Sequence, residues 1–219
     1  IIDMKKVGQV HFKWKGQASK LEDRFDVLKN ELLEKAKDIT RNMEKRGGGI
    51  AGVELIDLTD KEADLYQIKA YFRTCDSMGA NFINSVLENF AQTLDNFILS
   101  QEDFSPEEKD VRIIMSILSN FTPENKVRVT VSCPIEQLAD GKTIKDPQLF
   151  AEKFYTAVRV AHIDPHRATT HNKGIYNGID AVAMATGNDF RAIEASGHAY
   201  AAKDGRYRSL TRLECEGNT

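Results

Sequence analysis

Four side chains between residues 162 and 202 are of types that do chemistry together: Arg167, Lys173, Asn177 and Asp189. They stand in HIDPHRATTHNKGIYNGIDAVAMATGNDFRAIEASGHAYAA, where ionisable and polar groups sit among glycines and alanines more densely than a plain core or surface helix needs. A lysine beside an aspartate, both buried by the fold, would stabilise an oxyanion and relay a proton. A nearby arginine would grip a carboxylate through two parallel hydrogen bonds. Plainer roles weigh about equally. Lys173, in Asn172–Lys173–Gly174, would be a solvated loop lysine, and Asp189, after Gly187–Asn188, would be a helix N-cap. Arg167 would cap a helix or pair with Asp164, and Glu194 would be a surface carboxylate.

Two other stretches carry chemical types. CDSMGAN (75–81) lies between an apolar strand and a long helix, where glycine allows close approach and a helix N-terminus attracts phosphate. The full GxGxxG pattern is absent, so this is no Rossmann fingerprint. Taken alone, a tight turn with Asp76 as cap outweighs the phosphate reading. His162, His166 and His171 have H-x3-H-x4-H spacing and could bind zinc, but Pro165 interrupts the register and no HExxH is present. No metal site is expected, and His198 reads as structural.

These groups need elements to position them. Residues 9–15 (QVHFKWK) alternate as a half-buried strand. Ser19 caps a helix whose apolar face is Leu21, Phe25, Leu28, Leu32 and Ala36. Gly47–Gly49 break the pattern, and strands over 50–58 and 64–74 form a hairpin through a short polar link. A helix to about residue 100 has Phe82, Ile83, Val86, Leu87, Phe90, Leu94, Phe97 and Ile98 as its stripe. Ser105–Pro106–Glu107–Glu108 predicts a helix to about Leu118. KVRVTVSC (126–133) predicts the fourth main strand. This β-α-β-β-α-(α)-β order is that of an α+β, ferredoxin-like sandwich. Beyond Pro134 the chain predicts a second, mostly helical unit: a helix from Asp146–Pro147 to about 161, loop and short helix over 162–188, a helix from Asp189 to about Ala202, and a strand over 207–214.

The composition, 41% hydrophobic and 29% charged, is that of a globular chain with ample core. A net charge of −3 argues against a general nucleic-acid binder. No apolar run is long enough to span a membrane and no signal peptide opens the chain, so a cytoplasmic location is expected. Cys75, Cys133 and Cys215, odd in number and without a CxxC pair, fit reduced thiols. Both ends look cut, which raises the expectation of missing flanks.

DSMGAN, HNKGIYNGID and ATGNDFRAIEASGHAYAA, with GQVHF, the triple glycine and SILSN, closely resemble the signature segments of class II hydroxymethylglutaryl-CoA (HMG-CoA) reductases. Ser77 stands where alanine is common in that family. The resemblance implies a ferredoxin-like, non-Rossmann NAD(P)-binding small domain (residues 1–133) and the central segment of a mostly helical large domain (134–219). It implies NAD(P)H-dependent four-electron reduction of HMG-CoA to mevalonate and CoA, or the reverse, in isoprenoid biosynthesis. By the same resemblance Lys173, Asp189 and Asn177 are catalytic. Arg167 and Asn120 bind substrate. Asp38, Asp76, Met78, Gly79 and Asn81 contact the cofactor. Asp38 would favour NADH by repelling a 2′-phosphate. No metal, nucleic acid or membrane is implied, and the whole enzyme would be a homodimer or larger. The family's catalytic glutamate would precede Ile1 and its thiolate-protonating histidine would follow Thr219, so this chain alone is expected to be inactive. The competing readings are a ferredoxin-like ligand- or RNA-binding module, and a hydrolase built on the three histidines.

Overall fold

The computed structural model of the chain describes residues 4–215. Ile1 and residues 216–219, on which the expectation of cut ends rested, lie outside them. The chain divides into two compact units, Ile1–Asn125 and Lys126–Thr219.

The first unit runs β1 (Lys6–Lys13), α1 (Ala18–Glu22), α2 (Phe25–Lys35), α3 (Lys37–Glu44), β2 (Gly49–Asp57), β3 (Leu65–Arg73), α4 (Ala80–Ser100) and β4 (Arg112–Ser119). The strands form one sheet in the order β2-β3-β1-β4. Every neighbouring pair is antiparallel, with Val53 opposite Ala70, Val10 opposite Ile68 and Gly8 opposite Leu118. Alternation sends Val10, Phe12, Tyr66, Ile68, Ala70 and Phe72 to one face. There they are sealed with Leu28 and Leu32 of α2 and Ile83, Val86, Leu87, Phe90 and Leu94 of α4. Trp14 closes one end against Tyr66 and Phe104.

Three expectations fail here. The helix read from Ser19 to Ala36 is broken. The Arg24 side chain donates to the Lys20 carbonyl that its own N–H would otherwise use, and that N–H turns to Leu21 instead. Ser19 lies inside α1, whose cap is Gln17. The helix read over 106–118 does not form. The Ser105 hydroxyl does accept from Glu108 N, and Ser105 N donates to the Glu108 carboxylate, but this box closes a single turn. The Val111–Leu118 run, rich in isoleucine, then takes the open edge of β1 as β4. The strand read over 126–133 consequently has no place in the sheet. It is extended and unpaired, with Val127 94% and Val131 88% exposed.

The second unit holds a 3₁₀ turn at Ile135–Leu138 and three helices: α5 (Pro147–Ile163), α6 (Pro165–Ala185) and α7 (Phe190–Ala201). The stretch read as loop over 162–188 is mostly α6. Asp164 ends α5 and caps α6, its carboxylate accepting from His166 N at 3.0 Å, with Pro165 in the first turn. Gly174 and Gly178 face open space on that helix. The strand read over 207–214 forms no ladder.

Candidate functional site

In the first unit the turn after β3 is tied to itself. The Thr74 hydroxyl donates to the Ser77 carbonyl and the Ser77 hydroxyl to the Thr74 carbonyl, both at 2.7 Å. Cys75 Sγ donates to the Arg46 carbonyl at 3.1 Å, joining this turn to the triple-glycine segment. Gly79 follows at φ +75°, a conformation that a side chain resists, and Thr74 fills the space a Cβ would need. Gly79 is itself the N-cap of α4 and supplies no side-chain acceptor. Asp76 therefore does not cap the helix; it is exposed in the turn beside Met78. The first amides of a 21-residue helix are left without a side-chain partner, an arrangement suited to phosphate. Asn81 is exposed in that first turn, Asp38 is exposed in the first turn of α3, and Asn120 is exposed just past β4.

In the second unit Arg167, Lys173 and Asn177 all ride on α6 and are exposed. Lys173 and Asn177, four apart, share a face, while Arg167 lies about a third of a turn round the axis. Asp189 is the N-cap of α7, accepting from Arg191 N at 3.1 Å and Ala192 N at 3.2 Å, with Arg191 Nε 3.6 Å away. All three contacts fall on Oδ1. No contact joins Lys173 to Asp189, so the buried lysine–aspartate pair that the sequence suggested is not assembled among the described residues. The plainer reading of Asp189 as a cap holds, and Oδ2 remains the oxygen able to meet an ammonium.

Polar contacts help to pack α6, and among their residues Asn172 and Tyr176 were not singled out in the sequence. Asn172, fully buried, donates to the Arg208 carbonyl at 2.9 Å and accepts from Leu210 N at 2.9 Å. His171 Nε2 lies 2.5 Å from Thr211 Oγ1. Burial, then the Arg167 charge, holds the His171 imidazole below its ordinary value. Tyr176 is buried with its hydroxyl over Gly197, where any side chain would collide, and its ring meets His198 at 4.8 Å. Burial pushes the Tyr176 phenol up. In the sequence Asn172 was only an amide beside a lysine read as loop; its partners lie some 36–38 residues on.

The rival readings fare less well. His162 lies on α5, His166 and His171 on α6, and no group of three metal-ligating side chains comes together among the described residues. An RNA-binding sheet would expose stacking aromatics; on the open face Tyr71 donates to Glu54 and lies under Lys69. No helix among the described residues is long and apolar enough to cross a membrane.

Comparison with known proteins now adds to this geometry. A family model described as hydroxymethylglutaryl-coenzyme A reductase matches residues 2–218. The chain is 31% identical over 212 residues to a probable 3-hydroxy-3-methylglutaryl-coenzyme A reductase of Borreliella burgdorferi, covering 97% of this chain and 45% of that protein. It is 31% identical over 195 residues to the reductase of Archaeoglobus fulgidus, covering 88% and 40%. Among solved structures, a Streptococcus pneumoniae reductase superposes with TM-score 0.76 at 33% identity, covering 98% of this chain and 54% of that one. The class II reductase of the same organism, bound to NADPH in open conformations, gives 0.73 at 35%, covering 95% and 53%. The chain thus spans less than half the length of the curated relatives it matches.

Proposed function

Because the chain belongs to the hydroxymethylglutaryl-coenzyme A reductase family, we propose that it forms the nicotinamide-binding and central catalytic portions of an NAD(P)H-dependent enzyme converting HMG-CoA to mevalonate and CoA. The observation that carries the reading is the solvent-facing pair Lys173 and Asn177 on α6, within the HNKGIYNG segment. When bound, a reduced nicotinamide would supply one hydride, and two such molecules would be consumed in succession. As the thioester carbon takes the first, its oxygen becomes an oxyanion, and the Lys173 ammonium neutralises it. Collapse of this adduct breaks the C–S bond and releases the CoA thiolate, which takes up a proton as it leaves; the aldehyde then accepts the second hydride, and the Lys173 ammonium gives a proton to the resulting alkoxide. Asp189 Oδ2 orients the ammonium, Asn177 donates to the reacting oxygen, and Arg167 pairs with the substrate carboxylate. Asn120 is assigned to substrate binding in the same reading.

The uncapped start of α4 suits a cofactor diphosphate, with Asp76, Met78, Gly79 and Asn81 around it. The βαββαβ connectivity and the β2-β3-β1-β4 order support a ferredoxin-like description of this unit. The domains proposed are 1–133 and 134–219; the compact units divide earlier, between Asn125 and Lys126. Asp38 favours NADH in this reading, although the pneumococcal relative is described with NADPH. A dimeric, cytoplasmic enzyme is part of the same proposal.

The test is Lys173→Ala in a chain of the relatives' full length carrying this segment. Turnover should be abolished with NADH and NADPH affinity nearly unchanged. Near-normal turnover in that variant overturns the mechanism.

A further inference from the structure

α6 carries a carboxylate that the proposed mechanism leaves idle. Asp180 follows Lys173 and Asn177 along the same helix, one turn beyond the amide. At about 100° per residue the three side chains leave the helix within about 60° of arc, so they share one line along it. Lys173 and Asn177 are exposed on that line. Asp180 is half-buried, and its Oδ1 is sealed from water without a partner. A buried acceptor left unpaired carries a desolvation cost that a donor removes.

The helix limits which donor that is. Each Cα–Cβ bond tilts toward the helix N-terminus, so the Asp180 carboxylate leans over the turn that holds Tyr176 and Asn177. Downstream, Ala183 and Met184 offer no donor. Tyr176 sends its ring to α7, where its hydroxyl lies over Gly197. The Asn177 amide is short, one turn away, and at a spacing from which amide and carboxylate side chains pair along a helix. An amide has two unlike edges, the NH2 and the carbonyl. Only the NH2 edge serves an oxyanion; the carbonyl would repel it. A carboxylate accepts and does not donate, so it selects that same edge.

We propose that Asp180 is a positioning residue: it accepts from Asn177 Nδ2 and holds the amide with its second N–H toward the reacting oxygen. The role rests on the reductase reading and assigns a task to a residue that reading does not use. One nitrogen then serves both groups. Without the carboxylate the amide flips freely, and half of its orientations present the wrong edge.

The test measures steady-state kinetics in a chain of the relatives' full length carrying this segment. Asp180→Ala should lower kcat about tenfold to a hundredfold, with KM for HMG-CoA and NADPH nearly unchanged. Asp180→Asn, which keeps a carbonyl acceptor, should recover part of that loss. In an Asn177→Ala background, Asp180→Ala should cost nothing further, because no amide remains to be held. A merely structural carboxylate would cost the same in both backgrounds. Equal costs therefore overturn the role, and so does full turnover in Asp180→Ala. Should the alanine variant fail to fold, the Asp180→Asn arm of the same cycle decides by the same criterion. Lys173→Ala, run alongside, separates two failures. Turnover abolished there but intact in Asp180→Ala ends the positioning role alone. Near-normal turnover in Lys173→Ala removes the reductase mechanism and this role with it.

Discussion

Between β1 and β4 the side chains sealed from water are large: Phe12, Trp14, Leu21, Leu28, Leu32, Ile68, Phe72, Ile83, Leu87, Phe90 and Leu94. Between α5 and α7 they are mostly small: Ala161, Ala168, Ala183 and Ala201, with Asn172 and Tyr176 the larger exceptions. The helical unit keeps its bulk outside, with Phe154 half exposed and Val182 and Met184 more so. A sheet covered by two helices closes an apolar core from its own residues. Helices meeting through alanine and glycine come close together but remove little apolar area from water, so paired polar groups must fix their register. The first unit is therefore held by burial, the second more by particular hydrogen bonds.

The strongest challenge to this contrast is truncation of apolar side chains in both units. Phe90→Ala should cost about 3–5 kcal/mol in denaturant unfolding, because it removes a fully buried ring and leaves a cavity. Phe154→Ala should stay within about 0.5–1 kcal/mol, since half its surface already meets water. Equal losses would mean that the helical unit depends on the same kind of core.

A smaller effect is expected from the polar side. Asn172→Leu keeps the volume but strands the Arg208 carbonyl and Leu210 N, at a cost of about 2–4 kcal/mol. Limited proteolysis should then cut within residues 206–213 well before it cuts the sheet unit. Resistance there equal to the parent chain would show that the segment is held by something other than the amide.

Asp189 gives a finer separation of stability from chemistry. Asp189→Ala should destabilise α7 by about 1 kcal/mol through loss of the cap. Asp189→Asn should retain the cap, because asparagine serves equally well there. If the proposed reaction holds, both variants lose turnover in the full-length enzyme. Full turnover in Asp189→Asn would leave that carboxylate with a purely structural task.

The contrast also explains what could be read from residues alone. The stripe of α4, the β2–β3 hairpin and β1 follow from periodicity, because each buries one face in a large core. The Ser105–Glu108 box was read correctly as a local motif, yet it did not propagate. The next residues pair better with β1 than with themselves, a choice made by a partner about a hundred residues away. KVRVTVSC alternates as a strand should, but β4 holds the edge that it would need. In the helical unit Arg167, Lys173 and Asn177, read as loop and short helix, all fall on one helix. Whether Asp189 meets Lys173 is decided by the packing of α7, which alternation and capping signals do not encode. Asn172 escaped notice for the same reason.

The smallest predicted effect is acid sensitivity, and it tests the contrast from the side of charge. Burial lowers the pKa of His11 in the sheet unit, where its Nε2 is 2.8 Å from the Gln67 amide and its Nδ1 is buried without a partner. Burial and neighbouring arginines lower His162 and His171 in the helical unit. For a histidine lowered from the ordinary 6.5, the unfolded chain binds the proton more readily. Its stabilising contribution is therefore full above 6.5, lost as pH falls from there to the folded value, and constant below it. Unfolding between about pH 7.5 and 5.5 isolates these groups from the carboxylates. Trp14, the sole tryptophan, reports the sheet unit, and amide hydrogen exchange along α6, the helical signal, reports the other. The helical signal should lose more stability over this window than Trp14 fluorescence does, with two lowered histidines against one. Substituting His171 by Gln should narrow the gap. A larger acid loss in the Trp14 signal would show that the sheet unit, for all its apolar core, also depends on a neutral imidazole at His11.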